Sequence, residues 1–452
     1  MSTRLRRALF ALLLLGAAGC AGSRAEPPAP EAASPLVVVG MGWARNSVNA
    51  TSFRKNSVTS RGDRQVVAYY DAEGRVVLAE RGLGTRRFRL HPTGLRGDVE
   101  DAHGGISIAL DGEGRLHLAW GLHGRPLRYV QGVAPGSLEL GPEQAMTGER
   151  EARVTYPEFY DLPDGGLLFL YRDGRAAAGD VLLDRYDLAT RRWSAVQHPL
   201  IAGEGRRSPY TNQIAVDARG HWHLSWCWRE ARGAGSNRDL LYAVSDDEGR
   251  SWRRSDGTPY RLPITAPQAE VIRALPVGSD LINQTAMAVD ASGRPLVASY
   301  WRPAGAAAPE YQLVWRDGAA WRASSLGRRR LDFALGGGGT RRLPMARPKL
   351  LAGADGRVHL VFRDAERGDL VSLATSPGPP YEDWAVRDLT RGSVGQWEPS
   401  YDDALWRRAG VLHLFVQRVG QGDAEALEEL PPQAVGILEW DPRSAAVGPG
   451  SW

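Results

Sequence analysis

Seven times along this chain a tight, glycine-containing turn runs straight into a string of apolar residues. DAEGRVVLAER begins at Asp71, DGEGRLHLAW at Asp111, PDGGLLFLYR at Pro163 and DARGHWHLSW at Asp217; DASGRPLVASYW begins at Asp290, ADGRVHLVFR at Ala354 and RAGVLHLFVQR at Arg408. Each reads as strand, hairpin turn, strand, and a second apolar run precedes most turns, as in GISIALD, NQIAVD and TAMAVD. The turns recur at intervals of about forty to about seventy residues, the range of propeller blades with variable loops. Further strands such as LLYAVSDD and YQLVWRDGAAW fall between the units. Four strands per unit and seven units predict an all-β, seven-bladed β-propeller. A parallel β-helix is the alternative, but its coils are shorter and more regular. The sole helical pattern is a weak one near Ala424 to Glu429.

The amino terminus reads as a processing signal. Arg4, Arg6 and Arg7 form a positive region, Ala8 to Ala18 an apolar one, and Cys20 follows in AAGC. The apolar stretch is short of the roughly 20 residues that a membrane span needs. A cysteine directly after small residues resembles a bacterial lipobox, so residues 1–20 are expected to be a lipoprotein signal with Cys20 lipidated; ordinary cleavage nearby is the alternative. Residues 21–36 (AGSRAEPPAPEAASPL) read as a Pro- and Ala-rich tether, leaving 37–452 as the propeller. Export to a bacterial membrane or cell surface, or else to periplasm or medium, follows, with a lipid anchor the only membrane contact. Loss of three arginines takes the formal charge from +4 to about +1, which argues against nucleic acid as a partner. After Cys20 only Cys227 remains, so stability must come from packing and not from a disulfide. A monomer is expected.

Five apolar runs end in arginine: LLFLYR at Arg172, HLSWCWR at Arg229, PLVASYWR at Arg302, HLVFR at Arg363 and HLFVQR at Arg418. Recurrence predicts that the blades aim these guanidinium groups at one place, a site for an anionic ligand. The chain is rich in arginine throughout, since 56 Lys+Arg include lysine only at Lys55 and Lys349. His123 ends the sixth such run, HLAWGLH, six residues after His117 as Arg229 stands six after His223. His117, His223, His359 and His413 share the xHL position and read as packing residues. His103 stands eight residues before Asp111, Tyr156 eight before Asp164 and Arg347 eight before Asp355. Equivalent strand entries meet at one mouth of a propeller, so His103, His123, Tyr156 and Arg172 are expected to converge, with Arg347 and the other arginines as binding groups.

Tyrosine, two histidines and arginine suit a particular reaction. Glycoside hydrolysis normally requires two carboxyl groups at a set separation. Elimination from a uronic acid requires neutralisation of the C5 carboxylate, a base for the C5 proton and an acid for the oxygen leaving C4. A nearby arginine is expected to favour the tyrosine phenolate. No metal is required.

SDDEGRSW, Ser245 to Trp252, fits the S-x-D-x-G-x-[ST]-W Asp-box of sialidase-like propellers, in which Asp247 would bond backbone amides and Trp252 would pack between strands. DAHGGISIALDGEGRLHLAWGLHGRPLRYV (101–130) and TYPEFYDLPDGGLLFLYRDG (155–174) resemble the BNR-repeat family that contains the ulvan lyases of polysaccharide lyase families 24 and 25. SPYTNQIAVDARGHWHLSWCWRE (208–230) and EPSYD (398–402) look like later blocks of the same family. The resemblance implies a seven-bladed propeller that cleaves a sulfated, uronate-containing polysaccharide by β-elimination. It implies that Tyr156 with His103 or His123 transfers protons and that Arg172 binds the carboxylate. Gly104 stands where the family usually has asparagine.

Some members of that family hold a structural zinc. His221, His223 and Cys227 share one strand face here, but three residues on one strand spread over roughly 13 to 20 Å, too far for one ion. No cofactor is required, and a structural zinc would need ligands from another strand. Two other readings remain open: a sialidase-like hydrolase, which needs a tyrosine–glutamate pair, and a carbohydrate-binding propeller without turnover.

Overall fold

The computed structural model describes residues 36–444; the signal region, Cys20 and the tether lie outside the described residues. Seven antiparallel sheets follow one another as the blades of a β-propeller, confirming the predicted class. Blades 1, 5 and 6 are four-stranded meanders, starting at Val58–Arg61, Ala286–Val289 and Lys349–Ala352 on the inner edge. Blade 4 follows the same plan, with its inner strand split into Ser208–Thr211 and Ala215–Val216. Blade 2 has three strands, and its would-be fourth is reduced to a bridge between Gly132 and Leu140. Blade 3 gains an extra inner strand, His123–Arg125, which pairs with Val154–Asp161. Blade 7 is closed by the chain's beginning: Leu36–Gly42 pairs antiparallel with Gln433–Trp440 and supplies the outermost strand.

Six of the seven turn units sit between the inner and second strands of a blade. The first is one strand out of register. Its DAEG turn joins Arg64–Tyr70 to Arg75–Gly82, the second and third strands, while the inner hairpin of blade 1 turns at Gly62–Asp63. Both are tight Asp/Gly hairpins, so the turn chemistry is the same at either end of the blade. The turn of blade 7 is a short α-helix, Asp403–Ala409, capped by the Asp402 side chain on the Leu405 amide. The helical pattern near Ala424 to Glu429 yields only a 3₁₀ turn, Asp423–Glu425.

The strands hold because alternating faces pack between blades. Leu168, Leu170 and Leu183 of blade 3 meet Leu224, Trp226 and Leu241 of blade 4, all buried. The Asp-box forms: the Ser251 amide donates to Asp247 Oδ1 at 2.8 Å, and buried Trp252 donates Nε1–H to Gly249 O. The xHL histidines are internal. His117 Nδ1 lies 2.6 Å from Tyr129 Oη, His223 Nδ1 lies 2.6 Å from Tyr242 Oη, and His359 and His413 bond Thr375 and Gln65. Burial holds all four below the usual histidine range.

The segment Asn46–Asn56 crosses the axis before blade 1 begins. The Ser52 hydroxyl donates to Gln284 O and its amide to Glu398, Lys55 Nζ donates to Thr211 O, and Asn56 Nδ2 donates to Phe159 O. These bonds reach blades 5, 7, 4 and 3, so the segment closes the channel and presents Phe53 toward one mouth.

Candidate active site

At that mouth lies a cavity of about 190 Å³, lined by His103, His123, Tyr156 and Arg172 together with Phe53 and Tyr210. His103 comes from the turn before blade 2 and His123 from the strand that leaves it. Tyr156 and Arg172 come from the first and second strands of the main blade 3 meander. Gly104 fits its turn closely: a Cβ there would stand 3.0 Å from Asp98 O and 3.2 Å from Asp101 O.

Tyr156 does not continue its strand regularly. Its φ is +59°, and the pairing with Leu167–Arg175 shifts register between Thr155 and Glu158. This is a bulge, which re-aims one side chain at a local cost of about 1–3 kcal/mol for a bulky residue in the left-handed region. The ring consequently lies 6.1 Å from that of His103, and the Arg172 guanidinium sits 4.8 Å above it. His103 stacks on His123 at 4.1 Å on one side and on Phe53 at 4.8 Å on the other. Asp101 accepts from both imidazoles, with Oδ1 3.0 Å from His103 Nδ1 and Oδ2 2.7 Å from His123 Nδ1. The Nε2 atoms are thereby left for the cavity.

The arginines divide. Arg172 is buried, yet its Nε and Nη1 have no hydrogen-bond partner among the described residues. Arg229 is spent on Asn237, Tyr210 Oη and Asn283. Arg347 lines the cavity and is paired with Glu398 at 2.9 and 3.0 Å. Arg363 also lines it, but its donors go to Trp397 O, Leu343 O and Asp369. The expected full ring does not form. Arg302 lies outside the cavity and braces Asp280 and Asp332, while Arg418 is exposed and outside it. A strand-terminal arginine reaches the mouth only where its blade turns it inward, and in blades 5 and 7 it is turned away.

The expectation of a Tyr156 phenolate also fails. Burial, and then the adjacent Tyr210 phenol, push Tyr156 well above the usual tyrosine range despite Arg172, Arg229 and Arg347. Tyr210 is the phenol held low: burial opposes this, but Arg229 and Arg172 outweigh it, with the Arg229 Cζ 4.0 Å from its ring. Tyr156 is therefore a neutral phenol at ordinary pH, a donor of protons. Its hydroxyl bonds no described residue. Tyr210 and Asn283 escaped the sequence reading by one position. Each stands seven residues before its turn aspartate, Asp217 or Asp290, instead of eight. Asp101 was legible as the D-x-H spacing to His103.

Cys227 does not join His221 and His223. It is buried in the apolar cluster with Tyr156, Tyr210 and Tyr242, and burial pushes its thiol up to about 12. The two histidines instead meet Asp217, whose Oδ2 lies 3.1 Å from His221 Nδ1 and 3.4 Å from His223 Nε2. These three could hold an ion, although the same Asp–His pair recurs as Asp111–His117 without a third ligand.

Fold and site together describe a seven-bladed propeller whose mouth, with the unpartnered donors of Arg172, can receive an anion. The chain belongs to the BNR repeat-containing family, which it matches over residues 64–329. It is similar to the long isoform of an ulvan lyase from an Alteromonas species, 28% identical over 25% of this chain; the match covers 15% of that protein's length. In structure it is similar to the polysaccharide lyase Uly1, with a TM-score of 0.62 at 14% identity over 86% of this chain and 90% of the other. It is likewise similar to a PL25 ulvan lyase bound to -[GlcA(1-4)Rha3S]-, with a TM-score of 0.64 at 12% identity over 89% and 94%.

Proposed function

We propose that this chain is a polysaccharide lyase acting by β-elimination on a uronate-containing, ulvan-like polysaccharide. The carrying observation is Arg172: a buried guanidinium with free donors, set against a neutral phenol and beside two imidazoles. Its fork suits a carboxylate. Neutralising that carboxylate stabilises the negative charge that develops as C5 loses its proton. An imidazole Nε2 takes the proton, the electron pair forms the C4–C5 double bond, the C4–O bond breaks, and Tyr156 protonates the leaving oxygen. The relatives' printed substrates, ulvan and a glucuronate–rhamnose 3-sulfate unit, favour the same class.

Among the described residues no tyrosine hydroxyl in the cavity bonds a glutamate, as the hydrolase reading requires; the bonded pair Tyr160–Glu158 is buried outside the cavity and tied to Lys55. As further parts of the proposal, the protein works without a cofactor, as a monomer, exported and held by a lipid at Cys20. The test is a panel of ulvan, glycosaminoglycans and bacterial uronate exopolysaccharides followed by ultraviolet absorbance. An unsaturated product supports the lyase. Saturated reducing ends would replace it with a hydrolase, and binding without product would replace it with a lectin.

A further inference from the structure

The two stacked imidazoles share Asp101 almost evenly, and on that carboxylate alone they would compete as near equals for one proton. Glu425 breaks the symmetry. It comes from the loop between Leu412–Gln417 and Gln433–Trp440 of blade 7, and its Oε1 lies 3.1 Å from His103 Nδ1. Its position is set from three sides. The Thr340 and Ala102 amides donate to its carboxylate, and its own amide donates to Thr340 O at 3.2 Å. Ala424 and Glu425 both take positive φ, 56° and 68°, although neither is glycine. That turn fits against Gly339, where a Cβ would stand 3.2 Å from Ala424 Cα. The glycine-rich run Gly336–Gly339 is thus locked beside the histidine by the same residue that charges it.

We propose that Glu425 is a positioning residue that assigns the proton of the imidazole pair: His103, held by two carboxylates, is the cation, and His123, held by one, is the neutral base. The surroundings agree. Burial opposes the charge on His103, but its bonds to Asp101 and Glu425 outweigh burial and raise it. His123 is lowered by burial first, against its Asp101 bond, and then by His103 and Arg172. The other charged or titratable groups that line the same cavity are Tyr156, Tyr210, Arg229, Arg232, Arg341, Arg347, Arg363 and Glu398. A neutral His123 donates Nδ1–H to Asp101 and turns a free Nε2 lone pair to the cavity. The catalytic consequence rests on the lyase reading; the proton assignment does not.

The test is Glu425→Gln, which removes the charge and keeps one acceptor oxygen, enough for one of the two amides that the carboxylate serves. Imidazole nitrogen NMR would follow the two rings through a pH titration, with signals assigned through His103→Gln and His123→Gln. His103 should titrate above His123 in the parent protein and fall by about one pH unit or more in Glu425→Gln. With less charge on its neighbour, His123 then holds a proton more readily, so the acid limb of kcat should move to higher pH. An unmoved His103 midpoint, or a parent protein in which His123 titrates higher, overturns the proposal. Should the glutamine variant not fold, Asp101→Asn serves: His103 keeps Glu425, so the gap between the rings should widen, and a closing gap overturns the assignment. Absence of elimination on every polyuronate would sink the lyase reading and leave the NMR result standing.

Discussion

Tyr156 concentrates the argument at the scale of a residue. Its left-handed backbone costs stability, and its hydroxyl makes no bond to a described residue that would repay that cost. What the bulge achieves is placement, against Arg172 and beside the His103 ring. Deleting the hydroxyl should therefore leave packing untouched, since the ring still fills its place beside Tyr210 at 5.9 Å. Tyr156→Phe is expected to lower kcat by about 10²–10⁴-fold, the usual worth of a positioned proton donor, with the thermal midpoint unchanged. Loss of fold alongside activity, or retained turnover, would show that the hydroxyl serves structure or nothing. The same reasoning sets Arg229 apart from Arg172. Its three donating nitrogens are committed to protein groups, so it acts on the site through Tyr210.

At the scale of an element, the Asp-box shows how a turn can matter to the fold and not to the site. Asp247 accepts from the Ser245 and Ser251 hydroxyls and the Ser251 amide, fixing the hairpin that seats Trp252. Asp247→Ala removes three bonds at a partly exposed turn and should cost about 1–2 kcal/mol, read as a lower urea midpoint with kcat unchanged. A fall in kcat at full occupancy of the fold would contradict that separation. Strands and turns of this kind were legible because each carries its own chemistry: glycine and aspartate at the hairpin, alternating apolar residues after it. Position within a blade was not, which is why the DAEG turn of blade 1 sits one strand further out than its counterparts. The eight-residue count back from each turn found His103, Tyr156 and Arg347 but passed Tyr210 and Asn283, which stand seven residues before theirs; the inner strand that carries Tyr210 is interrupted between Thr211 and Ala215. Glu425 carried no local signal at all. It meets His103 only after the ring has closed.

Closure and the filling of the axis belong to the whole molecule. Leu36–Gly42 completes blade 7, and the segment that follows crosses the channel before the first blade is built. In a chain whose basic residues are otherwise arginine, both lysines stand in that channel, buried. Lys55 is paired with Glu158, whereas Lys349 Nζ, on the inner strand of blade 6, has no hydrogen-bond partner among the described residues. Burial, and then the charge of Lys55, bring Lys349 down to about 7. The unfolded chain keeps that proton up to the ordinary lysine value of about 10.4. Between these limits the unfolded state binds more protons than the folded one, so this group's contribution makes stability rise with pH above about 7 and leaves its full penalty in place below. Lys349→Met, similar in length and uncharged, should therefore be the more stable protein at pH 6, by about 1–4 kcal/mol. Its advantage should shrink by about 3 kcal/mol on going to pH 9, as the parent lysine loses its proton in the fold. Urea unfolding of both proteins at the two pH values measures this directly. A methionine variant that is less stable at pH 6, or an advantage that does not change with pH, would mean that the ammonium is solvated or paired in the channel and carries no penalty.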